Sequence, residues 1–117
     1  MNQERKAEWV TALRSGEYKQ GLGALRTSDN KFCCLGVLCD IAVKRKDAPE
    51  WENPTANYPS NYTIRFPGQA RGNSGLLPWR LAEDYDLPNH LSGKLMELND
   101  DKGKSFEEIA TYIEENL

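Results

Sequence analysis

The run Phe32-Cys33-Cys34-Leu35-Gly36-Val37-Leu38-Cys39-Asp40 constrains this chain more than any other stretch. It sets all three cysteines within seven positions of an otherwise apolar segment and ends on an acid. Such a run is either the buried spine of a small reduced domain or the cradle of a reactive thiol. The spacing favours the spine. Cys34, Leu35, Leu38, Ile41 and Ala42 recur at helical intervals, with Val37 on the flank. A helix is predicted from Cys33 or Cys34 to about Lys46, with Lys44-Arg45-Lys46 where the helix dipole favours cations. Gly36 costs such a helix about 1 kcal/mol relative to Ala. It either permits close packing of another element or marks a later helix start.

A chain of 117 residues suits one domain. That length buries roughly two-thirds of the unfolded surface in a single core. Three cysteines cannot all pair, and adjacent Cys33 and Cys34 join only through a strained ring, so three free thiols are expected. No apolar stretch approaches the roughly 20 residues that cross a bilayer. The opening Met1-Asn2-Gln3-Glu4-Arg5-Lys6 is too polar for a secretory signal, which points to the cytoplasm and to no membrane partner. The net charge of −3 is unevenly spread, running from +4 over residues 1–46 to −7 over residues 83–117. An acidic C-terminal third argues against binding a nucleic-acid polymer, which demands a coherent basic face. A local anion site in the first two-thirds is compatible with that balance.

The remaining elements follow from periodicity and punctuation. Residues 3–15 read as an amphipathic helix with Trp9, Ala12 and Leu13 on one face and Gly16 as its stop. Gly23-Ala24-Leu25-Arg26 and Lys31-Phe32 flank the turn formers Thr27-Ser28-Asp29-Asn30, which predicts a short hairpin. Residues 47–75 are broken by Pro49, Pro54, Pro59 and Pro67, with Asn53, Asn57, Asn61 and Asn73 between them. Tyr62–Phe66 is strand-like there, with Gly75-Leu76-Leu77 as its expected partner, and Trp51, Tyr58, Tyr62 and Phe66 favour order. Pro78 opens a helix over Trp79–Tyr85, ended by Leu87-Pro88, and Leu91–Leu98 forms another. Ser105 and Glu108 make a capping box for a last helix that buries Phe106, Ile109, Ala110 and Ile113. The expected fold is one α+β domain over 1–117, with about five helices and a small antiparallel sheet of two to four strands. An irregular insertion occupies about 47–75. The Cys33–Ala42 helix should be central, flanked by the first and last helices.

Little of the chemistry stands out by pattern. A thiolate at a helix N-terminus is a nucleophile when a base lies in reach, and His90 is the one histidine to pair with Cys33 or Cys34. Asp40, Asp86 and Asn89 are the available orienting groups. Against this, buried cysteines behave as small apolar residues. Cys-Cys-x4-Cys with one distant histidine lacks zinc-ligand pairing, and neither glycine cluster matches a phosphate loop, so neither metal nor cofactor is expected. Acid pairs such as Glu83-Asp84 and Asp100-Asp101 read as solvated. What remains is a binding surface. Arg14, Tyr18, Gln20 and Arg26 lie around the glycine loop, while Tyr62, Arg65, Arg71, Trp79 and Arg80 lie in or beside the irregular middle. Guanidinium groups clasp phosphate and aromatic faces stack on bases, so this set suits a small nucleotide-like ligand. A domain this small often needs a neighbour to enclose a ligand, so a homo-oligomer is expected. The rival to ligand binding is a protein-binding inhibitor that uses the acidic C-terminal face against a basic partner.

Three stretches in combination resemble a group of small proteins encoded by tailed phages and prophages. They are Trp9-x3-Leu13-Arg14-Ser15-Gly16-x-Tyr18-x-Gln20, then Phe32–Asp40, then Leu98-Asn99-Asp100 followed by Ser105-Phe106-x2-Ile109-Ala110-x2-Ile113-Glu114. The match covers about half the chain and leaves most of 47–75 aside. The group is of unknown function, so no catalytic residue is carried over. The resemblance implies a setting: an accessory protein inside an infected bacterium, of the kind that sequesters a nucleotide signal or blocks a defence protein of the host.

Overall fold

A helix that is apolar on every side must be wrapped by the rest of its domain, and the cysteine-rich segment is such a helix. The computed structural model describes residues 1–55 and 61–117. Its elements are α1 (Gln3–Arg14), β1 (Lys19–Gln20), β2 (Lys31–Phe32), α2 (Cys34–Lys44), α3 (Trp79–Asp84), α4 (Asn89–Asp100) and α5 (Phe106–Asn116). Every residue of α2 from Cys34 to Val43 is buried. α1 packs on one side of α2 and α4 on another, while α5 packs against α1 and α4. The expected flanking of α2 by the last helix is thereby corrected: α4 takes that side, because Leu95 and Asn99 face α2 and are fully buried. No helix among the described residues is long and apolar enough to cross a membrane.

The helix boundaries are set by local chemistry. Asn2 caps α1 by accepting from the Arg5 backbone N–H at 3.0 Å, and Gly16 follows the helix with φ +78°. Cys33 caps α2 with its sulfur, which accepts from the Gly36 N–H at 3.4 Å. Ser105 and Glu108 form the capping box of α5. Pro88 does more than end α3. It stands directly before α4, which begins at Asn89 rather than Leu91.

The sheet departs from expectation. β1 and β2 pair in parallel, Lys19 with Lys31 and Gln20 with Phe32, not antiparallel. Two chains reach β2, one from each side. The predicted hairpin is present, with Arg26 bridging Phe32 antiparallel and Asn30 turning the chain at φ +61°. Residues 19–20 then lie along the other edge of β2 in the same direction as it, because the chain reverses twice between them, once between residues 20 and 26 and once at the hairpin turn. Antiparallel contacts elsewhere are single bridges: Thr27 with Asn61, Glu52 with Thr63, and Ile64 with Asn73. The expected partner of Tyr62–Phe66 is corrected accordingly. Asn73 and Glu52 pair with that segment, and Ser74 accepts from the Leu25 N–H at 2.7 Å. Tyr58, Asn57 and Pro59 lie outside the described residues.

Gly36 explains how the hairpin sits on the spine. A Cβ at this position would lie 1.7 Å from the Leu25 carbonyl oxygen and 2.6 Å from its carbonyl carbon. The helix starts before Gly36, so the glycine serves close approach rather than a late start. Helix propensity alone makes Gly36→Ala stabilising by about 1 kcal/mol. The clash is with backbone, and overpacking of a core typically costs 1–3 kcal/mol or more. We predict that Gly36→Ala destabilises by at least about 3 kcal/mol in urea unfolding; an unchanged or raised midpoint refutes the packing described here.

Candidate functional site

Two buried polar residues hold the irregular parts of the chain to the helices. Asn99, fully buried on α4, accepts from the Cys34 N–H at 3.2 Å and from Gln20 Nε2 at 2.9 Å. Its own Nδ2 donates to the Gly21 carbonyl at 3.0 Å and to Asp100 Oδ1 at 2.8 Å. Gln20 also donates to the Lys104 carbonyl at 2.8 Å. Trp9, with no exposed surface, donates its indole N–H to the Cys34 carbonyl at 2.9 Å. Asp40 closes the other end of α2. It accepts from the Tyr18 hydroxyl at 2.6 Å and the Trp51 indole at 3.0 Å, and pairs with Lys44 at 3.1 Å.

Several sequence-predicted binding residues are thereby occupied within the fold. Tyr18 and Gln20 belong to these two networks. Arg14 bridges α1 to α5 through Glu107 at 3.1 Å, Glu114 at 2.7 Å and the Thr111 hydroxyl at 3.1 Å. Arg26 lies over the Tyr62 ring at 4.0 Å from its centroid, near Phe32 and Trp51, and donates to Asn30 Oδ1. Tyr62 in turn donates its backbone N–H to the Arg26 carbonyl at 2.9 Å. Such a stacked guanidinium contributes about 0.5–2 kcal/mol to holding 61–62 on the hairpin.

Arg65 and Arg71 are brought together in an open cleft of about 760 Å³, beside Glu52, Asn53, Thr55, Thr63 and Gly72. That volume falls in the range of small-molecule sites, roughly 300–1,000 Å³. Its frame is backbone: Glu52 and Thr63 exchange hydrogen bonds of 2.7 and 3.1 Å, and Ile64 and Asn73 exchange bonds of 3.0 and 2.7 Å. Arg65 donates to Glu52 Oε2 at 3.0 Å, and the Thr63 hydroxyl donates to Oε1 at 3.4 Å. Gly72 admits no side chain, since a Cβ there would meet Thr63 Cβ at 2.7 Å and its hydroxyl oxygen at 2.9 Å. Beside it Arg71 is exposed and has no ion-pair or hydrogen-bond partner among the described residues. The cleft thus holds one paired guanidinium, one with no partner among the described residues, and the bare backbone of Gly72.

Sequence reasoning named Arg65 and Arg71 but missed Glu52, Asn53, Thr55 and Thr63. The stretch 53–82, which carries Arg65, Arg71 and Arg80 and not one acid, signals the region of Asn53, Thr55 and Thr63 but not Glu52. Trp79 and Arg80 are not among the residues lining this cleft. Trp79 is 60% exposed at the start of α3, and the Arg80 guanidinium lies 5.7 Å from its ring centroid and 5.8 Å from that of Phe66.

The cysteines form no nucleophilic site. All three are free and buried, and burial pushes each thiol up, Cys33 to about 11. Cys33 Sγ is occupied as a helix cap and Cys34 Sγ donates to the Leu95 carbonyl at 3.6 Å. His90 is exposed on α4. A cysteine-dependent enzyme requires a thiolate at working pH, and burial disfavours the thiolate at all three positions.

Two outcomes follow from this geometry. Labelling of the native protein with an aromatic disulfide at pH 8 is expected to be slow for all three thiols and fast only after denaturation; one fast native thiol contradicts the burial. For Asp40, burial pushes the carboxyl up, but hydrogen bonds from Tyr18, Trp51 and Lys44 together hold it below its ordinary value. A carboxylate with a lowered folded pKa stabilises the fold above its unfolded pKa of about 3.9 and loses that contribution as pH falls through the folded value. Asp40→Asn should cost about 2 kcal/mol at pH 7, as for hydrogen bonds to a charged group. The gap between variant and wild type should narrow below pH 4 in chemical unfolding; a gap independent of pH contradicts this account.

A family model described as a domain of unknown function (DUF8296) matches residues 1–117. No curated protein sequence and no solved structure matches the chain. With the match running from the first residue to the last, the chain belongs to the DUF8296 family.

Proposed function

We propose that this protein is a non-catalytic phage accessory protein that binds a small nucleotide-like ligand in the Arg65–Arg71 cleft and so sequesters a signal of host defence. One observation carries the reading: two guanidiniums line one open cleft, and Arg71 has no ion-pair or hydrogen-bond partner among the described residues. An unpaired guanidinium is a ready bidentate partner for a phosphate oxygen pair. The acid-free stretch 53–82 adds a favourable local potential. Phage origin rests on the three-part motif resemblance, and with it the setting in the cytoplasm of an infected bacterium. The open side of the cleft leaves a ligand partly in water, which a homo-oligomer would relieve.

The inhibitor reading has less to support it. Part of the acidity of the C-terminal third is committed internally, with Glu107 and Glu114 paired to Arg14 and Glu108 serving the cap of α5 and Lys104.

Thermal unfolding against a panel of cyclic, linear and ADP-ribose-type nucleotides tests the proposal. A ligand present at 100 times its dissociation constant adds about 2.7 kcal/mol to stability. We expect such a shift for at least one nucleotide, and its loss in Arg71→Ala with the unliganded midpoint unchanged. Lys102→Ala, far from the cleft lining, should keep the shift. Absence of a shift across the panel, or a shift that survives Arg71→Ala, would falsify the cleft as a nucleotide site.

A further inference from the structure

An acid on the wall of an anion site needs an explanation, and Glu52 is such an acid. We infer that Glu52 is the specificity-determining residue of the cleft: it restricts the bound phosphate to a single negative charge and reads a hydroxyl beside it. This inference rests on the nucleotide reading above.

The charge argument starts from the lining. Glu52 is the one acid among the residues that line the cleft, and Arg65 and Arg71 are its cations. Arg65 is committed to Glu52 at 3.0 Å, so one guanidinium charge, that of Arg71, is left uncompensated. A phosphodiester carries one negative charge and matches it. A terminal phosphate monoester carries close to two at neutral pH, its second pKa being about 6. Its second charge finds no second free cation, lies beside the Glu52 carboxylate, and adds the steeper desolvation cost of a dianion that one guanidinium does not offset. Polyphosphates fare worse on the same count.

The hydroxyl argument is one of satisfiability. An ionised carboxylate has about four acceptor positions. In this cleft two are used, by Arg65 Nη2 on Oε2 and by the Thr63 hydroxyl on Oε1. The carboxylate cannot donate, so its spare positions accept only from a ligand donor or water. A ribose hydroxyl is the donor that a phosphodiester nucleotide places next to its charge, and a carboxylate partner for ribose hydroxyl recurs in dinucleotide sites. Position is held from behind. A Cβ at Gly72 would lie 3.4 Å from Glu52 Oε1 and 2.7 Å from Thr63 Cβ, so the glycine leaves room for this carboxylate and hydroxyl to stay in contact.

Calorimetric titration at pH 8 and low salt, where screening is weakest, separates the outcomes. The probes are adenosine 3′,5′-cyclic monophosphate with one charge, adenosine 5′-monophosphate with two, and the 2′-deoxy form of the cyclic compound. Wild type should prefer the cyclic compound over the monoester by about tenfold or more, an equilibrium factor worth about 1.4 kcal/mol. It should also lose affinity for the 2′-deoxy form. Glu52→Gln is isosteric and leaves the backbone pairing with Thr63 intact, so it should fold. In that variant the preference should invert toward the monoester, and the 2′-deoxy penalty should shrink, because a hydrogen bond to a charged acceptor is roughly twice as strong as one to an amide. Equal wild-type affinity for both charges, or an unchanged ratio in Glu52→Gln, overturns the role of Glu52 and leaves the nucleotide reading standing. Binding of neither nucleotide to wild type overturns the role of Glu52, and with no shift across the whole nucleotide panel it overturns the nucleotide reading as well.

Discussion

The contact between the Leu25 carbonyl and the bare face of α2 at Gly36 is the constraint from which the rest of the molecule hangs. It seats the hairpin directly on the buried helix. From there the chain is passed outward by single hydrogen bonds. The Leu25 N–H reaches Ser74, and the Arg26 carbonyl receives Tyr62. Thr63 then exchanges with Glu52, and Ile64 with Asn73. Each step is one residue wide, so the position of the cleft depends on how tightly the first step is made. Any side chain at position 36 would lift the hairpin off the helix and carry the cleft frame with it.

Polar groups complete what the glycine begins. A buried carboxylate or amide is costly unless its hydrogen bonds are met, and Asp40 and Asn99 meet theirs with partners drawn from distant parts of the chain. Asn99 joins α4 to the start of α2 and to the segment at 20–21. Asp40 joins α2 to Tyr18 and to Trp51, and so fixes the near end of the 47–55 segment. The three stretches that carry the phage resemblance are therefore one hydrogen-bonded unit. Trp9, Cys34, Asn99 and Gln20 are linked in that order by direct hydrogen bonds. These residues are engaged in contacts that hold the fold, unlike the cleft residue Arg71.

That distinction explains what was legible in the sequence. The helices were, because each carries a periodic apolar face or a capping signal: Trp9 and Leu13, the Cys34–Ala42 stripe, and Ser105 with Glu108. Strands two residues long have no periodicity to read, and the parallel pairing of β1 with β2 is decided by two chain reversals between them. The same holds for the bridge partners of Tyr62–Phe66. The surroundings of the candidate binding residues were illegible for a related reason. An arginine reads alike whether it faces a ligand or an internal acid. Arg14 pairs at the surface with Glu107 and Glu114, while Arg71 has no ion-pair partner among the described residues. Glu52 escaped notice because an isolated acid in an irregular stretch has no pattern to belong to.

The cleft lies on the part of the domain with the least regular structure, and its anchoring shows why this is workable. Binding groups concentrate on loops that a rigid scaffold positions, but a loop frees backbone entropy of about 1–2 kcal/mol per residue that ordering must offset. Here the offset comes from three ties to the hydrophobic core rather than from strands. Trp51 is held by Asp40, Tyr62 by the Arg26 guanidinium and carbonyl, and Ser74 by the Leu25 N–H. Ile64 and Phe66 are buried between the second and third ties. Alternate residues of the same segment, Thr63 and Arg65, face the cleft, as the two-residue period of extended chain requires. One short extended run thus feeds the core with one face and supplies the site with the other, so core packing at Ile64 and Phe66 sets the register in which Thr63 and Arg65 meet Glu52.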